Sequence, residues 1–432
     1  MLDIKFVRER PDLLKADLQK REDFEKLGWV DELLSIDSKY KALLKDIEAL
    51  RAKRNVLTEE INVLISAKKD FKDKVLEAKE LPEKIKLLEK ESAPLKEKID
   101  WYLMRLPNVL HESVPVGKDD SENVVVAQVG DKISKTTMLP HGDLLEKNGW
   151  AEFERAAKVC GSGFYFLKGD FALLELALEK FAIDKLVSKG YSLIRPPLLM
   201  NKPAYEGVTD LGDFENVMYK IESEDLYLIA TSEHPMAAMF KDEIFKEEEL
   251  PLKLVGLSPC FRREIGKHGV DTRGIFRVHQ FSKIEQFVYC APEQSWFFHE
   301  EIIKNAEEIF YELGLAYRKV NICTGDIGTV AAKKYDLEAW MPREEKYREV
   351  VSGSNCTTYQ AVRSNIKYRK KDNSKEYVHT LNSTAIATTR ALRAVVETYY
   401  DGVSLKIPRV LQPYMNNKTE IEPVKRISGK GV

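Results

Sequence analysis

The residues best suited to chemistry fall in four short segments between positions 190 and 400. The first, Gly190-Tyr191 through Pro196-Pro197, follows an amphipathic pattern that starts near Phe171. It reads as helix, short strand and proline-enforced stop, and by itself implies a structural turn. In the second, Ser258 to Glu264 and Ile275 to Phe287 read as two β-strands around a glycine-containing loop, Ile265 to Gly274. Strand periodicity puts Arg262 and Glu264 on one face, and Phe281, Lys283 and Glu285 on one face of the return strand. An arginine, an aromatic ring and carboxylates meeting on a sheet suit a nucleotide. The guanidinium would take phosphate oxygens, the ring would stack on a base, and the carboxylates would take an amine or a metal. A cross-strand ion-pair ladder accounts for the same residues equally well. The third segment, Tyr347 to Thr357, places Glu349 and several hydroxyls, Ser352 among them, at a strand end. These are hard oxygen ligands of the kind Mg²⁺ accepts beside phosphates. The fourth, Thr380 to Arg390, reads as a strand passing into a helix that runs to about Tyr400. Arg390 then sits in the first helical turn, either solvated or aimed back at a phosphate.

Something must position these segments. The chain has 432 residues, 44% of them hydrophobic, enough for two or three domains with at least one large core. Its 68 Lys+Arg nearly cancel its 70 Asp+Glu, which excludes a polybasic nucleic-acid binder along the whole chain. The average hides a concentration, because from Lys253 to Lys283 seven basic residues face two acidic ones. No apolar run is long enough to span a membrane, and the mixed-charge amino terminus, opening Met1-Leu2-Asp3-Ile4, lacks the apolar stretch of a secretory signal. Five scattered cysteines suit a reduced cytoplasm and offer no CxxC pair for zinc.

The amino-terminal quarter has a different texture. Residues 30 to 104 hold no glycine and only two prolines, Pro82 and Pro94. Leu33, Ile36, Tyr40, Leu43, Ile47, Leu50, Arg54, Leu57, Ile61 and Leu64 recur at heptad spacing, broken only by Arg54. A second seam runs from Phe71 through Val75, Ala78, Leu81, Ile85, Leu88, Ser92, Leu95 and Ile99 to Tyr102. Two seams joined by the polar Ser66 to Asp70 predict an antiparallel two-helix coiled coil. Pro82 should kink the second helix or sit in its first turn. Such an arm could dimerise, act as a spacer, or present Lys39, Lys41, Lys45, Arg51, Lys53 and Arg54 to a nucleic acid. The pattern predicts a domain over 1–106 carrying the hairpin, then a mixed domain over 107–432 with a tail disordered after about 426.

Taken together the segments are more specific than their parts. Gly-Tyr with Pro-Pro, then Phe-Arg-Arg-Glu with its return strand, then a helix-borne arginine resembles the three motifs of class II aminoacyl-tRNA synthetases, in order. Thr231-Ser232-Glu233, Asp271-Thr272-Arg273-Gly274, Arg277 to Phe281, Glu349 to Ser352, Ser354-Asn355-Cys356 and Leu381-Asn382 narrow the resemblance to the seryl-tRNA synthetase family. Phe153 to Lys158 and Gly161 to Asp170 add to it, and it covers about residues 1 to 415. The form Ser383-Thr384 with Thr388-Thr389-Arg390 looks archaeal or eukaryotic; bacterial relatives carry a serine where this chain has Thr384.

The resemblance implies an α+β fold: an antiparallel sheet of six or seven strands flanked by helices, with a two-helix arm that grips tRNA. It implies a serine–tRNA ligase that uses ATP as substrate with Mg²⁺ and no zinc. The expected partners are L-serine, tRNA(Ser) and a second copy of the chain in a homodimer, with tRNA(Sec) left open as a further acceptor. Arg262 should hold the ATP α-phosphate and the serine carboxylate, Glu264 should face the adenine amino group, and Phe281 should stack on the ring. Arg263, Val278, His279, Gln280, Val350 and Val351 should complete the ATP site. Glu349 and Ser352 should position Mg²⁺ and phosphates, and Arg390 should clamp the γ-phosphate. Thr231, Ser232, Glu233, Glu285, Asn382 and Thr384 should bind serine. A relative that charges a carrier protein, a synthetase for another amino acid, and an inert coiled-coil interaction protein are the competing readings. The long arm argues against the first, Asn382 to Thr384 against the second, and the assembled charged residues against the third.

Overall fold

The computed structural model describes residues 1–209, 217–264 and 273–425. Asp271 and Thr272, most of the loop before Gly274, and the tail beyond residue 425 lie outside the described residues. The chain divides into two compact units, Met1–Val109 and Leu110–Val432.

In the first unit, helices α1 (Ile4–Glu9) and α2 (Pro11–Lys20) pack on the base of α3 (Phe24–Ser66), which returns as α4 (Lys72–Arg105). Asp3 caps α1 by accepting from the Lys5 amide, and Pro11 opens α2 where its missing N–H costs nothing. At 1.5 Å per residue the 43-residue α3 is about 64 Å long. The predicted seam is the buried one: Leu33, Ile47 and Leu57 face Leu81, Ile85, Ile99 and Tyr102, and Arg54 is exposed. Neither proline sits in the first turn of α4. Both lie inside it and both are exposed, so the carbonyls they leave unpaired can be hydrated. At the base, Arg8 grips the buried Asp37 through two hydrogen bonds of 2.7 and 2.6 Å.

The second unit is built on a sheet of eight described strands: β1 (Val124–Val129), β2 (Ser192–Ile194), β3 (Leu252–Phe261), β4 (Gln280–Cys290), β5 (Tyr317–Asn321), β6 (Lys333–Met341), β7 (Lys346–Asn355) and β8 (His379–Ala387). Their order is β1-β5-β6-β7-β8-β4-β3-β2. Every neighbouring pair is antiparallel except β2 with β3, so the sheet is larger than the expected six or seven strands and carries one parallel edge. Helices α5 (Gly169–Ser188), α6 (Ser295–Glu312) and α7 (Thr388–Tyr399) cover one face. Their apolar stripes, such as Phe171, Leu174, Leu178 and Phe181 on α5, recur at helical spacing and close on the sheet.

Strand β4 shows how one sequence serves two layers. Ile284 and Val288 point into the helix-covered core, and the alternate residues Phe287 and Tyr289 enter a second core on the opposite face. Phe281, Lys283 and Glu285 continue that opposite face and line an open cleft.

Candidate active site

The cleft encloses about 420 Å³. Of the predicted residues, Thr231, Glu233, Arg262, Phe281, Glu285, Glu349, Val350, Ser352, Asn382, Thr384 and Arg390 line it. They come from the start of the short helix Glu233–Ala238 and the residues just before it, from just past the end of β3, and from β4, β7, β8 and α7.

Two β-bulges explain why residues of mixed parity share one wall. Leu337 and Glu338 are consecutive on β6, yet they oppose Val351 and Glu349 on β7, so Val350 is the extra residue. The bulge turns Glu349 to the side already occupied by Ser352 and Ser354. Both residues are therefore within the strand rather than at its end. A second irregularity lies at Ala385 on β8, between the pairs Thr384 with Glu285 and Ile386 with Ile284.

Two sets of contacts organise the deep end. The Thr384 hydroxyl donates to Glu285 Oε2 at 3.2 Å, and Lys283 reaches the same oxygen at 2.5 Å. Asn382 Nδ2 donates to Glu233 Oε1 at 3.1 Å, and Gln360 Nε2 to the same atom at 3.2 Å. The Glu233 amide donates to the Thr231 hydroxyl at 3.1 Å. Burial pushes the Glu233 carboxyl up to about 7, with Glu285 adding to the rise. Glu285 is also raised, chiefly by burial, while Lys283 pulls the other way. His234, on the same wall, is pushed down to about 3 by burial and is therefore a neutral imidazole.

The outer end is cationic. Arg262 Nε donates to the Ala230 carbonyl at 3.3 Å, and its guanidinium lies 5.3 Å from the Phe281 ring centre. Arg390 donates to the Glu349 carbonyl at 3.0 Å and pairs with its carboxylate at 3.1 Å. Beneath it Phe276 carries two guanidinium groups, Arg390 at 5.3 Å and the buried Arg393 at 4.7 Å. The half-exposed Glu349 loses hydration among its protein neighbours, but Arg390, Lys334 and Arg262 outweigh that loss and hold its carboxyl below the usual range.

The other predicted residues lie elsewhere. Strand β3 ends at Phe261, so Arg262 and Glu264 do not share a strand face as periodicity implied. Glu264 has turned into the left-handed region at φ 45° and pairs with Arg277 at 2.9 Å. The Arg263 amide donates to the Val217 carbonyl. His279 stacks on Phe164, lies 2.7 Å from the Tyr219 hydroxyl and 2.9 Å from the Arg262 carbonyl, and so props the arginine from behind. Val278 is buried, and Gln280 is exposed at the start of β4. The fully buried Ser232 sends its hydroxyl to the Gly256 carbonyl, and Val351 enters the helix-covered core.

Several lining residues escaped the sequence reading as site residues: Lys283, His234, Lys334, Ser354 and Cys356. Lys283 could have been found, since it shares strand parity with Phe281 and Glu285. Lys334 could not, because only the pairing of β6 with β7 sets it opposite Ser354 on the cleft wall.

Comparison with known proteins respects the same division. Residues 1–110 match the family described as seryl-tRNA synthetase N-terminal domain, and residues 218–399 the tRNA synthetase class II core domain (G, H, P, S and T). The serine–tRNA ligase of Methanocella arvoryzae is 60% identical over 421 residues, 96% of this chain and 99% of the relative. The chain belongs to the seryl-tRNA synthetase family. Another member, the serine–tRNA ligase of Thermococcus sibiricus, is 51% identical across 98% of both chains. The crystal structure of seryl-tRNA synthetase from Pyrococcus horikoshii complexed with ATP superposes with a TM-score of 0.90 at 50% identity, covering 98% of this chain and all of that one. The cytoplasmic serine–tRNA ligase of Naegleria fowleri in complex with AMP gives 0.86 at 38% identity, covering 98% and 99%. The fold and family expected from the sequence are borne out, and with them an ATP-dependent serine–tRNA ligase activity.

Proposed function

We propose that the cleft joins serine to ATP and that the helical arm brings tRNA(Ser) to the product. The observation that carries this reading is the convergence in one cleft of a buried carboxylate end and a guanidinium end. The Glu285–Thr384 pair offers a hydroxyl and a carboxylate oxygen to the serine side chain. Glu233, held by Asn382 and Gln360, faces the serine ammonium with Thr231 beside it. Arg262 spans the serine carboxylate and the α-phosphate, Phe281 stacks on the adenine, and Arg390 takes the terminal phosphate.

The serine carboxylate attacks the α-phosphorus, seryl-adenylate forms, and the bond to the leaving pyrophosphate breaks. The terminal ribose hydroxyl of tRNA then attacks the activated carbonyl. No covalent nucleophile of the protein is needed, since positioning and neutralisation of phosphate charge carry the first step.

Glu349 and Ser352 present a charged carboxylate and a hydroxyl on one wall. That donor pair fits a Mg²⁺ ion that takes its other oxygens from phosphates and water, and the ion would offset phosphate charge. Exposed Leu173, Leu176 and Val187 on α5, with Leu193 on the edge strand β2, support an interface with a second copy of the chain. Five free thiols support a reducing, cytoplasmic location, and no described helix is long and apolar enough to cross a membrane.

Amino-acid-dependent pyrophosphate exchange measured across the twenty amino acids tests the reading. Serine should dominate, with alanine down by about 10⁴-fold because it leaves buried polar groups unpaired. Threonine should be down by more than about tenfold, because its added methyl must clash. Threonine activation within tenfold of serine would contradict the pocket.

A further inference from the structure

Two arginines of α7, Arg390 and Arg393, stand three residues apart and so share one helix face. Both meet the ring of Phe276, with their guanidinium carbons 5.3 and 4.7 Å from its centre. Their other surroundings differ. Arg393 is buried and its charge is matched by two carboxylates: its Nε donates to Glu397 at 2.9 Å, and it pairs with Glu344. Arg390 lines the cleft and reaches both the carbonyl and the carboxylate of Glu349.

Glu349 and Phe276 act on Arg390 in different ways. Glu349 takes N–H donors, offsets the positive charge, and itself lines the cleft. Phe276 is only 8% exposed. Its aromatic face attracts a guanidinium without cancelling the charge and without a lone pair that would tie up a donor. A guanidinium has five N–H donors and no acceptor. Held on the ring, Arg390 keeps its remaining donors and its charge for an anion in the cleft.

The ring is itself fixed from behind. Gly274 has φ 129°, and a Cβ there would fall 2.1 Å from Nε2 of His141, so glycine is what lets the imidazole approach. That Nε2 accepts the Ile275 amide at 3.1 Å. Burial first, then the charge of Arg393, pushes His141 down to about 3, which keeps it neutral and able to accept. Ile275 is fully buried in the helix-covered core. On one side of this pair Arg273 bonds to Glu146 at 2.5 Å, on the same short helix, His141–Lys147, that carries the imidazole. On the other side Arg277 pairs with Glu264 at 2.9 Å. Phe276 therefore stands in a segment anchored before and after it.

We propose that Phe276 is a positioning residue for Arg390: its ring holds the guanidinium toward the cleft while leaving charge and donors for the ATP phosphate. The inference rests on the reading of Arg390 as the arginine that takes the terminal phosphate.

Calorimetric titration of the full chain with ATP in the presence of Mg²⁺, set beside pyrophosphate-exchange kinetics, tests this. Phe276→Leu keeps an apolar side chain and removes the aromatic face. It should weaken ATP by about threefold to tenfold, the scale of one partly buried cation–π contact, and raise the KM for ATP while the KM for serine stays within about twofold. Phe276→Tyr keeps the ring and should restore most of the ATP affinity. Phe276→Met, which fills the same space with a flexible chain, gives the same reading should the leucine variant fail to fold. Arg390→Gln should weaken ATP by about a hundredfold, and adding Phe276→Leu to it should change ATP affinity by less than about twofold, because the ring then has no cation of the cleft to hold. Unchanged ATP affinity in Phe276→Leu would overturn the proposal. So would an equal loss with and without Arg390, or a matching rise in the KM for serine, each of which marks a ring that supports the cleft as a whole. Unchanged ATP affinity in Arg390→Gln would overturn the reading of that arginine itself, a result distinct from the others.

Discussion

The arm and the cleft use the same charged residue types under opposite conditions. On the arm, Arg51 pairs with Glu89 at 2.7 Å and Lys53 with Glu77 at 2.6 Å, each side chain about half exposed. Lys74 and Glu60 pair in the same way near the tip. Pairs of this kind are screened by water and salt and set little beyond register. In the cleft, Lys283 and Glu285 are 7% and 1% exposed, and Glu233 is hydrogen-bonded by two amides. There each charge changes the state of its neighbour. The arm is therefore a scaffold whose surface is free to meet a partner, and the cleft is an electrostatic device whose members are not interchangeable.

The largest effect that would break this contrast concerns Arg262. Arg262→Ala removes the cation proposed to bridge the serine carboxylate and the α-phosphate, and serine-dependent pyrophosphate exchange should fall by about 10³-fold or more. An Arg51→Ala change on the arm should leave exchange unmoved. Near wild-type exchange in Arg262→Ala would erase the distinction.

A smaller effect sharpens it through pH. Glu233 is raised to about 7 by burial, so the folded chain holds that proton more tightly than the unfolded chain does. Its contribution to stability is therefore full below the ordinary carboxylate range and is lost as pH rises through 7. The proposed pairing of Glu233 with the serine ammonium requires its ionised form, so kcat/KM for serine should climb about tenfold per pH unit toward 7 and then level. Glu233→Gln should lower kcat/KM and flatten the profile below 7. A profile in the variant that keeps the same climb would assign the dependence to another group.

The two regions also differ in how far their sequence could be read. The arm's seams repeat every three or four residues, and each buried apolar position, from Leu33 to Ile99, follows that local repeat. Of the two places open to Pro82, the helix interior is the one taken, on an exposed face. The cleft was legible as an ordered set of motifs but not as a surface. Periodicity assumed that the strand continued through Glu264, whereas β3 stops at Phe261 and the backbone turns. It could not foresee the bulge at Val350, which brings Glu349 and Ser352 to one side, nor the register that sets Lys334 opposite Ser354. Strand pairing is non-local, and a single residue of slip reverses every side chain.

The division of labour between arm and cleft is tested most directly by shortening the arm in register. Excising residues 44–91 and closing the helices with a short turn keeps the base, where Val30, Leu33, Asp37, Ile99 and Tyr102 are buried. Serine-dependent pyrophosphate exchange and charging of tRNA(Ser) should then be measured on the same preparation. Exchange should stay within about twofold of the full chain and charging should fall by more than about a hundredfold, the scale of several lost phosphate contacts. Charging retained alongside exchange would contradict a tRNA-recruiting arm, and both lost together would contradict an independent cleft.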